Sequence, residues 1–271
     1  MTNSDDCFSD QDGLHYFIDG DGHPVILIHG FAASNFDWVY LTPDLIQQGY
    51  QVVAPDLIGH GNSSKPEDPA CYEFSALYQN FIEWIGEFHV DQKLTLIGHS
   101  MGGLIALLFA SEHAESVHQM VLIDPYYERK QLNSILRLIN KRPEWYYKVL
   151  QHSPQWLIHT VISFDVYGMI HYESRTRKQI AEDYKRASPE IVYIPGSIPD
   201  ITEKIDQVQS PTLVIWGEKD ATLHPSSFPY LVDKLANGQG KSIQGAGHQP
   251  HLTKPDLFNA LVLDFLGNNH S

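Results

Sequence analysis

The chain has 271 residues, 42% hydrophobic and 19% charged, which is enough apolar material for one generous core and excludes a disordered polymer. With 33 acidic against 18 basic residues its formal net charge is −15, which speaks against nucleic acid or an anionic membrane surface as partner. The start, MTNSDDCFSDQDG, is polar and acidic, unlike a signal peptide, and no apolar run is long enough for a membrane span. Two cysteines, Cys7 and Cys71, give no disulfide framework and no metal spacing, so a soluble cytoplasmic protein is expected.

Residues 1–12 read as a tail. Leu14–Ile18 reads as a strand, and Asp19-Gly20-Asp21-Gly22 is a turn signal into the next one, Pro24–Ile28. PVILI is continuously apolar, the pattern of a strand buried on both faces of a parallel sheet. It ends at His29-Gly30-Phe31. A helical pattern covers about 35–48, a strand Gln51–Ala54, and the turn-rich loop 56–69 follows. Phe74–Phe88 is an amphipathic helix with Leu77, Phe81, Trp84, Ile85 and Phe88 on one side.

The strand Leu94–Ile97 stops at Gly98-His99-Ser100-Met101-Gly102, and Gly102–Ala110 reads as a buried helix. This is G-x-S-x-G between a strand and a helix, a sharp turn that lifts a serine above the sheet at a helix N-terminus. Val117–Ile123 is another buried strand, closing in Asp124-Pro125. The alternation of strand and helix to this point predicts a doubly wound parallel sheet. From Tyr126 to about Lys204 it stops, replaced by aromatic-rich helical patterns at 132–139, 145–150, 156–162 and 180–184, broken by prolines. The α/β pattern resumes with Thr212–Trp216, a helix near 226–235, a short strand near Lys241–Ile243 and a last helix at 257–266. The expected organisation is a core of residues 1–124 and 205–271 with residues 125–204 inserted as a helical unit.

His29-Gly30-Phe31, Asp56-Leu57-Ile58-Gly59-His60-Gly61, the Gly98–Gly103 turn GHSMGG, Trp216-Gly217-Glu218-Lys219-Asp220 and Gly245-Ala246-Gly247-His248 stand in this order at predicted strand ends. Over nearly the full length this pattern resembles the α/β-hydrolase superfamily, which also uses the chain order Ser, Asp, His. The resemblance implies an α/β-hydrolase fold with 125–204 as a cap, Ser100 as nucleophile, His248 as general base and Asp220 as the acid that orients it. It implies an oxyanion hole made by the backbone N–H groups of Phe31 and Met101. Substrate-pocket positions would be Tyr126, Tyr127, Trp145 and Trp156, although the aromatics of the insert also suit simple packing. His251 competes with His248, and Asp124, also at a strand end, competes with Asp220. His29, His60 and His99 read as turn packing, Asp56 as a turn stabiliser and Glu218 as solvated.

The function so implied is that of a serine hydrolase, a carboxylesterase acting on a small to medium, largely apolar ester through an acyl-enzyme. No cofactor and no metal are expected, and the protein would be a monomer or homodimer. A serine at position 100 disfavours haloalkane dehalogenase and epoxide hydrolase chemistry, which needs a carboxylate there. Carbon–carbon bond hydrolases and acyltransferases share the triad, the elbow resembles that of cofactor-free haloperoxidases, and a ligand receptor on a retained hydrolase fold is the alternative outside enzymes.

Overall fold

The computed structural model describes residues 13–87, 92–132, 137, 153–154 and 172–268. Seven strands form one sheet in the order β1-β3-β2-β4-β5-β6-β7. They are β1 (Tyr16–Asp19), β2 (Pro24–Ile28), β3 (Gln51–Pro55), β4 (Leu94–His99), β5 (Val117–Ile123), β6 (Thr212–Gly217) and β7 (Gly238–Ile243). Only β1 runs antiparallel, pairing Tyr16 with Pro55 and Asp19 with Val52. The remaining pairings are parallel, so the C-terminal ends of β2, β4, β5 and β6 open on the same side. Every residue of β2 and β4 is buried, as the continuous apolar runs require of strands covered on both faces.

The helices among the described residues are α1 (Thr42–Gln47), α2 (Phe74–Glu87), α3 (Met101–Glu112), α4 (Ser174–Arg186), α5 (Ile194–Ser197), α6 (Ser227–Lys234), α7 (Pro250–Thr253) and α8 (Pro255–Asn268). One face of the sheet packs Leu77, Phe81 and Trp84 of α2 and Leu104, Leu107 and Leu108 of α3. The other packs Leu45 of α1 with Phe258, Val262 and Phe265 of α8. Helix α3 is buried on all sides from Met101 to Ala110, because Ile201, Ile205 and Val208 pack in the same cluster. That explains its lack of an amphipathic pattern.

Three local expectations need correction. The helix expected over 35–48 is a 3₁₀ turn, Asn35–Trp38, followed by α1. Pro43 sits in the first turn of α1, where a missing N–H is tolerated, but it could not sit inside a helix begun at Asn35. Strand β7 begins three residues earlier than expected, through Gly238-Gln239-Gly240. Cys71, buried at the turn Pro69–Tyr72, is disulfide-bonded rather than a free thiol, which removes the cysteine argument for a reducing compartment. No described helix is long and apolar enough to cross a membrane.

The expected insert is described only in part. Helix α4 carries the 180–184 pattern, whereas the patterns at 145–150 and 156–162, with Trp145 and Trp156, lie outside the described residues. The described part is tied to the loops above the sheet. Ser34 Oγ donates to Asp183 Oδ2 at 3.0 Å, Tyr40 hydroxyl to Glu173 at 3.1 Å, and Ser188 N to the Gly59 carbonyl at 2.7 Å.

Candidate active site

Ser100 stands between β4 and α3 with φ 51° and ψ −110°. Among the described residues only three non-glycine positions have positive φ, Ala32, Ser100 and Asp124, and they follow β2, β4 and β5 at the same edge of the sheet. Strain of this kind persists only where the surroundings over-determine it. Here Ser100 N donates to the Ile123 carbonyl at 2.8 Å, and Tyr126 N donates to the Ser100 carbonyl at 3.1 Å. The flanking glycines are steric necessities: a Cβ on Gly98 would lie 2.4 Å from the Gly102 carbonyl oxygen, and one on Gly102 2.0 Å from that of Ile28.

Three side chains from separate segments converge on this turn. Ser100 Oγ is 3.0 Å from His248 Nε2, and His248 Nδ1 is 2.8 Å from Asp220 Oδ2. Asp220 lies in the turn after β6, and its other oxygen accepts from the backbone N–H groups of Thr222 (2.7 Å) and Leu223 (2.9 Å). Its side chain is fully buried while that of His248 is 19% exposed, so the imidazole is the member a substrate could reach. Burial alone would raise the Asp220 carboxyl. The charge and hydrogen bond of His248, with bonds from Asp124 and the Leu223 backbone, more than reverse this and hold it below the usual carboxylate range.

Asp124 is the neighbour, not the occupant, of that role. Its Oδ1 accepts from Gly217 N at 3.1 Å, and burial followed by the negative charge of Asp220 pushes its carboxyl well up. Both causes favour the protonated form of Asp124 beside the charged Asp220. His251 does not reach Ser100; it is buried and stacks on Trp38 at 5.4 Å between ring centroids.

The backbone N–H groups of Phe31 and Met101 have no acceptor among the described residues. Met101 is the first residue of α3, where the helix dipole favours negative charge. The loop that carries Phe31 is braced by buried histidines. His29 accepts the Leu57 N–H at Nε2 (2.9 Å) and donates to the Gly30 carbonyl through Nδ1 (2.7 Å), and its ring lies 5.1 Å from His60. Asp56 ties segments together, accepting from Asn35 N (2.7 Å) and Asn62 N (2.9 Å) and lying 3.1 Å from His15 Nδ1.

Of the expected pocket residues, Tyr127 is corrected: it is wholly buried, and its hydroxyl donates to the Ser227 carbonyl at 2.8 Å, so it packs beneath α6. Tyr126 is held beside Ser100 by its backbone, and burial pushes its phenol up to about 12. Among the described residues, two groups bring three metal-capable side chains within 4.8 Å, namely Asp124, Asp220 and His248, and Asp37, His99 and His251. The second group escaped the sequence reading, which took His99 and His251 singly and passed over Asp37. The one signal available was an acidic residue beside Trp38, eight positions after His29.

Comparison with known proteins agrees with this architecture. Lipase 3 of Moraxella sp. (strain TA144) is 24% identical over 84% of this chain and 72% of its own length. A haloalkane dehalogenase of Mycobacterium marinum is 27% identical over 88% and 80% respectively. The bromoperoxidase structure from Bacillus anthracis superposes with a TM-score of 0.79 at 23% identity, covering 94% of this chain and 95% of that one. A thermophilic esterase from Thermogutta terrifontis gives 0.79 at 22% identity, covering 95% and 94%. These relatives differ in reaction, so what they share is the scaffold. The profile of the alpha/beta hydrolase fold family matches residues 23–255, and the chain belongs to that family.

Proposed function

We propose that the protein is a serine hydrolase that cleaves carboxylic esters of small to medium, largely apolar substrates through an acyl-enzyme. The observation that carries this reading is the pair of contacts at His248, 3.0 Å to Ser100 Oγ and 2.8 Å to Asp220, next to two N–H groups without acceptors. His248 Nε2 takes the Ser100 proton as Oγ attacks the acyl carbon, and Asp220 stabilises the imidazolium that forms. The carbonyl oxygen, now anionic, accepts from Phe31 N–H and Met101 N–H. Collapse of the tetrahedral adduct breaks the ester C–O bond, and the alcohol leaves with the proton held by His248. A water then gives its proton to His248 as it attacks the acyl carbon, and collapse of that adduct breaks the C–Oγ bond, His248 returning the proton to Ser100 Oγ as the acid is released.

A serine at position 100 supports this over the dehalogenase reaction named for the Mycobacterium marinum relative. Residues 125–204 serve as the cap over Ser100, and Tyr126 lines the acyl side of the pocket, with Trp145 and Trp156 as further lining. The test is hydrolysis of p-nitrophenyl esters across acyl lengths by wild type and Ser100→Ala. Turnover abolished in the variant, with a chain-length optimum in the wild type, is the expected outcome. Equal inactivity of both proteins across the panel would sink the esterase reading.

A further inference from the structure

His99 lies inside the elbow motif, and its ring hydrogen-bonds neither Ser100 Oγ nor the His248 imidazole. It is buried, and each of its ring nitrogens faces an oxygen. Nδ1 is 3.2 Å from Asp37 Oδ2, and Nε2 is 2.9 Å from the backbone carbonyl of His248. A neutral imidazole has a single N–H, so one of these oxygens would meet a lone pair. Only the imidazolium donates to both. We propose that His99 is a positioning residue, held doubly protonated by the Asp37 carboxylate, and that this buried ion pair fixes the backbone of His248 beneath the reacting serine.

The surroundings fit the charge assignment. Burial would raise the Asp37 carboxyl, but the contacts with His251 and His99 and the charge of His99 bring it far below the usual range. Among the described residues no lysine or arginine pairs with Asp37, so the balancing charge falls to a histidine. His251, on α7, has its ring 4.5 Å from that of His99 and its Nε2 3.9 Å from Asp37 Oδ1. Burial holds His251 down at about 4, so His251 is not suited to supply that charge. The other facing groups are His248, its ring 5.1 Å away, His29 from the end of β2, lowered by burial, and Asp183 of α4, which reaches the cluster through Ser34.

The pair links three parts of the site. Gly30 N, at the start of the oxyanion loop, donates to Asp37 Oδ2 at 3.4 Å; β4 carries His99; and the loop with His248 hangs from the His99 Nε2–H. The His-Gly dipeptide also leaves room for the arrangement, because a Cβ at Gly30 would lie 2.8 Å from His99 Nδ1. Removing one member of a buried ion pair strands the other, whereas replacing both by neutral amides does not.

The catalytic consequence rests on the reading of Ser100 and His248 as the reacting pair, so the experiment has an arm that does not. Long-range ¹H–¹⁵N spectra of the full chain labelled at histidine, assigned with His99→Gln, should show both His99 nitrogens protonated at pH 7.5 and a neutral tautomer in Asp37→Asn. With a p-nitrophenyl ester, Asp37→Asn should lower kcat on the order of 10–100-fold with little change in KM. The double variant Asp37→Asn/His99→Gln, whose amide still donates to the His248 carbonyl, should recover kcat to within about tenfold of wild type. A neutral His99 in the wild type overturns the proposal, as does a Asp37→Asn variant with unchanged kcat. So does a His99 signal that shifts with zinc and reverts with chelator, which would put a metal where the proton is placed. If the wild type is inactive on all esters while His99 is doubly protonated, the esterase reading fails and the ion pair stands.

Discussion

Acid should unfold this protein by way of its buried histidines, and His60 allows the effect to be measured. Its ring is fully buried; Nδ1 donates to the Ile58 carbonyl at 2.9 Å, and Nε2 has no partner among the described residues. Burial, followed by the neighbouring His29, depresses His60 from 6.5 to about 3. The folded state thus binds this proton more weakly than the unfolded one. The stability His60 contributes is complete above pH 6.5 and is lost as pH falls from 6.5 towards 3. Between pH 7.5 and 4.5 the binding difference is nearly two pH units, or about 2.5 kcal/mol. The perturbation is His60→Asn, which keeps a donor for the Ile58 carbonyl and cannot titrate. Urea unfolding of both proteins at the two pH values gives four free energies, and groups not coupled to His60 cancel in the difference. The variant should be less stable at pH 7.5, because the smaller side chain leaves a cavity, yet lose about 2.5 kcal/mol less than wild type on acidification. Equal losses in the two proteins would show that His60 is not held neutral by its pocket.

Three other outcomes follow from the geometry. Asp220→Asn should reduce kcat on the order of 10³–10⁴-fold, whereas Asp124→Asn, which still offers a donor to Asp220, should leave kcat within a few fold; steady-state ester hydrolysis distinguishes them. Asp183 is raised by burial to about 6, so its folded form is favoured below the ordinary carboxylate range and penalised as pH rises through about 6. Asp183→Asn should therefore raise Tm at pH 7.5 and bring no gain at pH 4, a contrast read by differential scanning calorimetry. Tyr127→Phe removes only the bond to the Ser227 carbonyl, and should cost about 1 kcal/mol of stability with ester turnover unchanged, as expected of a core residue.

The parts of the fold that were legible in the sequence are those where one local force decides. PVILI and VHQMVLI are read as buried strands because nothing but a doubly covered sheet suits such runs, and both strands have the predicted bounds. GHSMGG is legible because a tight strand-to-helix turn admits so few residues. Strand β7 was half missed because Gly238-Gln239-Gly240 has no strand propensity. A Cβ at Gly238 would lie 2.6 Å from the Val232 carbonyl, so close packing under α6 selects those glycines and overrides propensity. Tyr127 was misplaced for a related reason. Position just after a strand end says that a residue is near the site, but whether its ring turns to the opening or to α6 is decided by Ser227, 100 residues away. The Asp37–His99–His251 group was invisible in sequence because its members lie on three segments that only the finished sheet brings together.

The order of the site along the chain has a consequence for biosynthesis. Ser100 and the backbone N–H groups of Phe31 and Met101, the proposed nucleophile and oxyanion donors, precede residue 124, whereas Asp220 and His248 follow β6, His248 lying 148 positions after Ser100. At a translation rate of about 5–20 residues per second, His248 is added roughly 7–30 s after Ser100. Until β6 has docked beside β5, the serine is an ordinary alcohol with no base to deprotonate it. On the proposed function, a nascent chain that has not yet reached His248 is inert towards the acyl compounds around it, and reactivity arrives only once that residue is added.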